Sequence, residues 1–250
     1  MVRRNSRSRK SAPPRARRDG GLLRLARWLH RWWRRGLLGL AALVALAVIW
    51  VMSYSVINPP LTHFIWSEQK RLNAPVARQW VALDDIAPVM ARSVVAAEDA
   101  NFCLHWGFDM QAIRAALDAG GRRGASTISQ QVVKNAFLWH GRSWARKALE
   151  AVLTPVVEAT WSKRRILEVY LNIAEFDEGV FGVGAASRHY FGVEAAALTP
   201  TQAARLAMVL PSPKTRSAST PTQAQRRRSA AILDGAETIR RDGRAGCFER

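Results

Sequence analysis

Residues 144–161 read WARKALEAVLTPVVEATW, and apolar residues recur in this segment every four positions. A four-residue recurrence places these side chains on one face of a helix and leaves the charged ones on the other. The segment therefore predicts one long amphipathic helix. Its apolar stripe consists of Trp144/Ala145, Ala148/Leu149, Val152/Leu153, Val156/Val157 and Trp161.

Helical patterns continue on both sides of this segment, so we predict a mostly α fold. Helix-capping residues and glycine or proline stops bound the segments. The predicted helices cover residues 85–98, 109–119, 126–138, 143–162, 164–174, 182–191 and 199–210. One short strand is predicted near residues 79–83, and residues 175–179 are predicted to form a loop. The basic tail, residues 215–250, is expected to be loosely attached, with one helix near residues 225–240.

The segment GLLGLAALVALAVIWVMSYSVI, residues 36–57, contains 22 residues and no charge. As a helix it would be roughly 33 Å long, enough to cross the hydrocarbon core of a membrane. A cleaved signal peptide is the alternative, but its apolar region is usually about 7–15 residues long and ends in small residues. The length of this segment and its bulky end favour a transmembrane anchor.

Positive charge is concentrated before this segment. Of the chain's 38 Lys and Arg residues, thirteen lie in residues 1–35, together with one acid. Such a block is typical of a segment that binds nucleic acid or an anionic membrane surface. Because an apolar span follows it directly, the positive-inside rule predicts a cytoplasmic tail, residues 1–35, and an external remainder.

Two cysteines, Cys103 and Cys247, lie 144 positions apart. They form neither a metal-binding spacing nor a dense disulfide framework. We treat both as free thiols, and the sequence leaves open whether they pair in an oxidising compartment.

Residues 98–109, EDANFCLHWGFD, join two predicted helices through a turn with carboxylates and aromatic residues. A carboxylate beside Phe102 and Trp106 is expected to have a raised pKa, as a general base requires. Glu98 is therefore a candidate base. The alternative is an ordinary turn between two helices, in which these polar residues have no catalytic role.

Residues 124–135, GASTISQQVVKN, place small and hydroxyl residues at a predicted helix start. Free backbone N–H groups there, with Ser126 and Thr127, would suit a pyrophosphate, and Lys134, Arg122 and Arg123 would add positive charge. The segment lacks the P-loop pattern. The alternative is a simple helix cap.

Two further charged groups lie on the predicted helices that follow. Arg146 and Lys147 precede Glu150 by one helical turn, which suits a cationic site with a second carboxylate. The alternative is a surface ion pair worth about 0.3–0.5 kcal/mol. We predict that residues 163–172, KRRILEVYLN, form a buried helix with a structural role. Glu168 and Asn172 are expected to hydrogen-bond to each other or to the backbone.

Taken together and in order, the patterns EDxxFxxHxGxD, GASTISQQxxKN, RKxxE and KxxILExYLN resemble those of the peptidoglycan glycosyltransferase family. The resemblance covers about residues 80–213 and implies a lysozyme-like lobe with a small membrane-associated jaw, preceded by one transmembrane helix. It divides the chain into the tail 1–35, the span 36–57, a periplasmic glycosyltransferase domain at 58–213 and a basic tail at 214–250. Because 37 residues follow Pro213, we expect the monofunctional type of transglycosylase.

The resemblance also implies the reaction and its residues. The substrates would be lipid II and the growing lipid-linked glycan, and each transfer would invert the sugar and release undecaprenyl pyrophosphate. Glu98 would be the base, and Glu150 the second carboxylate, which assists the leaving group or positions a metal. The substrate-binding residues would be Asp99, Phe102, His105, Ser126, Thr127, Gln130, Gln131, Lys134, Asn135, Arg146 and Lys147.

Cofactor and partners follow from the same resemblance. Some relatives use a divalent cation, so Mg²⁺ or Mn²⁺ is expected as a cofactor, although no spacing identifies its ligands. The protein would act at the bacterial inner membrane, alongside cell-wall synthesis or division proteins, and would not bind nucleic acid.

Two alternatives stay open from the residues. A membrane-bound lytic transglycosylase or muramidase would also use a glutamate near a helix end. A pyrophosphate site argues against it, because an enzyme that cleaves polymer does not need one. A membrane-tethered nucleic-acid binder would fit the basic tail, but no base-reading motif supports it.

Overall fold

The computed structural model describes residues 19–120, 124–139, 141 and 143–249, with side chains from residue 24 onward. Arg122, Arg123 and the first part of the basic tail, residues 1–18, lie outside the described residues. The chain divides into two compact units, one ending at Ala47 and the other beginning at Val48. Ten α-helices and one small sheet form the described part, which confirms the mostly α fold.

Helix α1, Asp19–Ser53, contains the predicted membrane span. Its part Arg24–Ser53 is long and apolar enough to cross a membrane, and most of its side chains are exposed. The helix ends at Ser53 rather than at Ile57, the predicted end of the span. Trp161 donates a hydrogen bond from Nε1 to the carbonyl of Val51 in the last turn (3.0 Å).

The remaining helices of the described residues are α2 His63–Leu72, α3 Pro88–Glu98, α4 Met110–Asp118, α5 Ile128–Phe137, α6 Trp144–Thr160, α7 Lys163–Ile173, α8 Val183–Phe191, α9 Pro200–Val209 and α10 Gln223–Arg241. In the described part of the chain, eight of these nine helices agree with the sequence predictions to within a few residues, and α2 lies between the membrane span and the first predicted helix. One predicted helix, 85–98, is divided. A 3-10 turn at Leu83–Asp85 precedes α3, because Ile86 has an extended backbone and Pro88 opens the helix.

Three short strands form a sheet in the order β1-β3-β2. Strand β1, Ala77–Arg78, pairs in parallel with β3, Val180–Phe181, and β2, Glu175–Asp177, pairs antiparallel with β3. The predicted strand at 79–83 and the predicted loop at 175–179 are therefore wrong. Gly179 adopts a φ of 71°, which few other residues tolerate, and so turns the chain between β2 and β3.

Within the larger unit, helix α5 packs against α6, α7 and α2. Its apolar side chains Ile128, Val132 and Val133 are fully buried. Because one face of α5 belongs to the core, the positions of its polar side chains on the other faces are fixed. Helix α5 therefore holds polar side chains of the candidate site in fixed positions.

The C-terminal tail belongs to the core, contrary to the predicted loose attachment. Helix α10 packs against α3 and α9 through Ile232 and Ile239, which are buried at helical spacing. Cys103 and Cys247 form a disulfide with their Cα atoms 5.7 Å apart, so the prediction of free thiols is also wrong. Spacing along the chain misled both predictions, because the partners are distant in sequence and adjacent in the fold.

Candidate active site

Glu98 is the last residue of α3 and is half-buried. Gln131 on α5 donates a hydrogen bond from Nε2 to Glu98 Oε2 (2.9 Å). Burial raises the pKa of Glu98, while the hydrogen bond from Gln131 and the positive charges of Arg228, Lys134 and Arg216 oppose that rise. A carboxylate with these neighbours has the raised proton affinity expected of a general base.

Asp99 and His105 hold the loop that follows Glu98. The backbone N–H of Ile128 donates to Asp99 Oδ2 (2.9 Å), and His105 Nε2 lies 2.8 Å from Asp99 Oδ1. Asp99 is buried and both its oxygens are used inside the protein. Asp99 thus connects the loop to the start of α5, and direct substrate binding by these two residues stays a prediction.

Phe102 lies in the hydrophobic core and has no exposed surface. Its ring packs beside His105 and Phe248, and the Lys163 ammonium lies 4.5 Å from the ring centroid. The predicted contact between Phe102 and substrate is wrong, since the ring is enclosed on every side by protein.

Thr127 and Gln130 form a capping box at the start of α5. Thr127 N–H donates to Gln130 Oε1 (3.1 Å), and Gln130 N–H donates to Thr127 Oγ1 (3.2 Å). The N–H of Ile128, which lies between Thr127 and Gln130 in the sequence, donates to Asp99 Oδ2. The N–H groups of Thr127, Ile128 and Gln130 are therefore already paired within the protein, and anion binding at this helix start stays a prediction. Ser126, by contrast, is exposed and accessible to a ligand.

Glu150 on α6 is buried and lies between two cations. Arg146 Nη1 donates to Glu150 Oε2 (3.2 Å), and Lys147 Nζ donates to Glu150 Oε1. The side chain of Arg146 is only 12% exposed. The alternative of a surface ion pair is therefore wrong, and the group has paid a desolvation cost that an exposed pair avoids.

Lys134 on α5 is influenced by the charges of both carboxylates, Glu98 and Glu150. Burial lowers its pKa, and the negative charges of Glu150 and Glu98 act in the opposite direction. Since both carboxylates influence the Lys134 ammonium, the structure brings Glu98, Lys134 and the Arg146–Lys147–Glu150 group into one electrostatic site.

A cavity of about 470 Å³ opens beside these residues. Asn135 is 7% exposed and lines this cavity, and its Oδ1 has no hydrogen-bond partner among the described residues. An unpaired buried carbonyl is costly unless a ligand or water satisfies it. The cavity is lined by Phe64, Gln131, Lys134, Asn135, Tyr170, Ala174, Glu175 and residues 210–215.

Sequence reasoning missed three residues that act on Glu98. Tyr170 donates a hydrogen bond to Gln131 Oε1 (3.2 Å), and the charges of Arg216 and Arg228 reach Glu98. A buried tyrosine hydroxyl normally needs a partner, which was the available signal for Tyr170. Nothing in the sequence marks Arg228, since its role depends on how α10 packs.

Comparison with known proteins identifies the family. Residues 67–237 match the family described as Transglycosylase. The chain belongs to this transglycosylase family. A relative in Jannaschia sp. (strain CCS1) is 58% identical over 224 residues, covering 90% of this chain and 92% of the relative. One in Rhodospirillum centenum is 47% identical over 213 residues, covering 84% and 92%. Both relatives are named biosynthetic peptidoglycan transglycosylase.

The residues of this transglycosylase do not assemble a protein-ligated cation site in the described part of the chain. No group of three His, Cys, Asp or Glu side chains with metal-binding geometry occurs there. Both oxygens of Glu150, the carboxylate expected to position a metal, are occupied by Arg146 and Lys147. The described residues therefore identify no ligand set for the expected Mg²⁺ or Mn²⁺, and we derive no catalytic step through a metal.

Gly107 fixes the transglycosylase loop that carries His105. Its φ is 88°, and an added Cβ would lie 2.7 Å from Thr154 Cγ2 and 3.1 Å from Glu158 Cγ. Neither atom can yield easily, because Thr154 is buried and Glu158 is paired with Lys163 (2.8 Å). A side chain at this position therefore requires α6 or the loop to shift.

We expect Gly107→Ala to lower the free energy of unfolding by about 3 kcal/mol, since it adds steric overlap to an unfavourable φ. Gly120→Ala is the matched control, because Gly120 has a φ of 70° and no atom of the described residues lies within 4 Å of its Cβ position. Thermal denaturation of both variants measures the difference. Equal losses from the two substitutions would contradict the close packing against Thr154.

Proposed function

We propose that this protein polymerises peptidoglycan glycan strands from lipid II. The 4-hydroxyl of the acceptor disaccharide attacks C1 of the lipid-linked donor, and undecaprenyl pyrophosphate leaves with inversion. The observation that carries the proposal is the position of Lys134, within reach of the charges of both Glu98 and Glu150. Such a transfer needs a base, a cation, and a second carboxylate that is paired with cations.

Glu98 accepts the proton of the attacking hydroxyl. The new bond joins that oxygen to donor C1, and the proton moves to a Glu98 oxygen. Burial of Glu98 strengthens it as a proton acceptor, while the hydrogen bond from Gln131 keeps it ionised before the reaction. These opposing influences suit a base that must be charged at rest and protonated afterwards.

Lys134, Arg146 and Lys147 stabilise the leaving group. As the bond from C1 to the pyrophosphate oxygen breaks, its electron pair remains on that oxygen and negative charge develops there. Glu150 holds Arg146 and Lys147 in fixed positions, so the cations need little reorganisation when that charge appears. This assigns Glu150 the task of orienting cations, within its predicted role as the second carboxylate.

The membrane arrangement is part of the proposal. We infer an inner-membrane protein with a cytoplasmic N-terminus and a periplasmic catalytic unit. The apolar helix Arg24–Ser53 and the basic segment before it support this orientation. The disulfide between Cys103 and Cys247 supports it independently, since disulfides persist in oxidising compartments. Other cell-wall synthesis or division proteins are proposed as partners.

We expect Lys134→Gln to lower the polymerisation rate by about 10²–10³-fold, the loss typical of removing one preorganised charge at a reacting centre. Arg188→Gln is the matched control, because Arg188 forms an exposed ion pair with Glu194. The assay incubates the full-length protein in detergent with labelled lipid II and resolves the products by length. Equal rates for the two variants would contradict the proposed cationic site.

The same assay separates the remaining alternatives. Long products from the wild type support polymerisation, whereas fragments released from purified cell walls would favour the lytic transglycosylase or muramidase. A divalent cation remains a proposal, and a series with Mg²⁺, Mn²⁺ or a chelator tests it. A rate unchanged by the chelator would show that the reaction proceeds without the cation.

A further inference from the structure

Tyr170 lies on α7 with 1% of its surface exposed. Its hydroxyl donates to Gln131 Oε1 (3.2 Å) on the neighbouring helix α5. A buried tyrosine brings a polar group into the core, and that group is tolerated only where it has a partner. Gln131 is that partner, and Gln131 is also the residue that contacts Glu98.

Gln131 has two chemically different ends. Its carbonyl oxygen accepts from Tyr170, and its amide nitrogen donates to Glu98 Oε2 (2.9 Å). An ionised carboxylate can only accept hydrogen bonds, so it requires the nitrogen end of the amide. A donor at the opposite end therefore fixes the orientation that an ionised Glu98 needs.

Tyr170 keeps its proton in this environment. Its pKa is raised well above the usual value, first by burial and then by the negative charges of Glu98 and Asp99. Its hydroxyl therefore stays neutral over the range in which Glu98 titrates and remains able to donate. The other charged groups that act on Glu98 are Lys134 on α5, Arg228 on α10 and Arg216 after α9.

We propose that Tyr170 is a positioning residue that acts through Gln131 to hold Glu98 as the ionised base. This inference rests on the proposed function of Glu98. A protonated Glu98 accepts a hydrogen bond less strongly than an ionised one, so the fixed Gln131 amide nitrogen favours the ionised state of Glu98.

We expect Tyr170→Phe to lower kcat about five-fold with little change in KM, as expected for the loss of one neutral hydrogen bond. A less well-oriented Gln131 stabilises ionised Glu98 less, so the pKa of Glu98 rises. Because the base must be ionised, the acidic limb of the kcat profile moves to higher pH. Tyr190→Phe is the matched control, since its hydroxyl contacts the Phe176 carbonyl (3.1 Å). An unchanged acidic limb in Tyr170→Phe would overturn the proposal.

A double-mutant cycle distinguishes positioning from a general packing role. Gln131→Met removes the amide while keeping a side chain of similar length. If Tyr170 acts through Gln131, adding Tyr170→Phe to Gln131→Met has little further effect on kcat. Additive losses in the double variant would show that Tyr170 acts by another route and would overturn the proposal.

A direct titration separates failure of this inference from failure of the proposed function. The ¹³Cδ resonance of Glu98 in glutamate-labelled protein, assigned by its absence in Glu98→Gln, reports its protonation without any substrate. We expect a higher pKa in Tyr170→Phe than in the wild type. Equal titrations overturn the positioning role, whereas a wild type that forms no polymer contradicts the proposed function alone.

Discussion

Glu98→Gln is expected to reduce the polymerisation rate by about 10³-fold, within the range that a positioned general base contributes. Glutamine has the shape of glutamate and can still accept a hydrogen bond from Gln131, but it cannot take the proton of the attacking hydroxyl. The initial rate of polymer formation from labelled lipid II measures the effect. Thermal denaturation should show a folded protein, because the substituted carboxylate is only half-buried.

Glu194→Gln is the control for this experiment, because Glu194 is exposed and pairs with Arg188. It should polymerise at the wild-type rate. In the wild type, activity should decrease as the pH is lowered and Glu98 becomes protonated. The midpoint should lie above the ordinary glutamate pKa, because burial raises the pKa of Glu98. A folded Glu98→Gln protein that retains wild-type activity would remove Glu98 from the mechanism.

Replacing both Cys103 and Cys247 with Ser is expected to lower the free energy of unfolding by roughly 5 kcal/mol, the loop-entropy value for cysteines so far apart in sequence. For a unit of this size the midpoint of thermal unfolding should fall by roughly 10 °C. The disulfide attaches the C-terminal segment to the loop after Glu98, where Arg244 also donates to the Ala100 carbonyl (2.9 Å). The polymerisation rate should therefore fall as well.

Thermal unfolding with and without a reductant provides the control. Reduction should lower the midpoint of the wild type and leave that of the double Ser variant unchanged. The two proteins should then unfold at similar temperatures. A wild-type midpoint that does not respond to complete reduction, verified by thiol counting, would contradict the stabilising role of the bond.

Local patterns were sufficient to predict most helices. The stripe that ends in Trp161 predicted α6, and Thr199 and Thr127 lie at helix caps where hydroxyl residues were expected. These features depend on interactions between residues a few positions apart, so sequence alone contains them. The two-residue strands β1 and β3 are too short for an alternating pattern, and their pairing is decided by the fold.

Long-range packing explains the failures in the C-terminal tail. Ile232 and Ile239 are buried on α10, but the many arginines around them obscured the apolar face. The arginines extend into solvent from the other faces, and the guanidinium of Arg228 lies near the carbonyl of Ala97 (3.4 Å). That contact joins residues 131 positions apart, which no local pattern reports.

The sequence predicted which residues belong to the candidate site, but not the contacts that each of them makes. The motifs grouped Glu98, Lys134 and Glu150 as parts of one site, and in the structure the charges of both carboxylates act on Lys134. They did not distinguish residues facing substrate from residues holding the loop, such as Asp99 and Phe102. That distinction depends on which hydrogen-bonding groups are already satisfied, and only the three-dimensional contacts show it.

The most direct test of the proposed polymerisation is the ratio of undecaprenyl pyrophosphate released to disaccharide units incorporated, measured on the full-length protein with doubly labelled lipid II. Each new glycosidic bond should release one lipid pyrophosphate, so the ratio should approach one as the strands lengthen. Glycan shortening without release of lipid pyrophosphate would contradict the account and identify a cleaving enzyme.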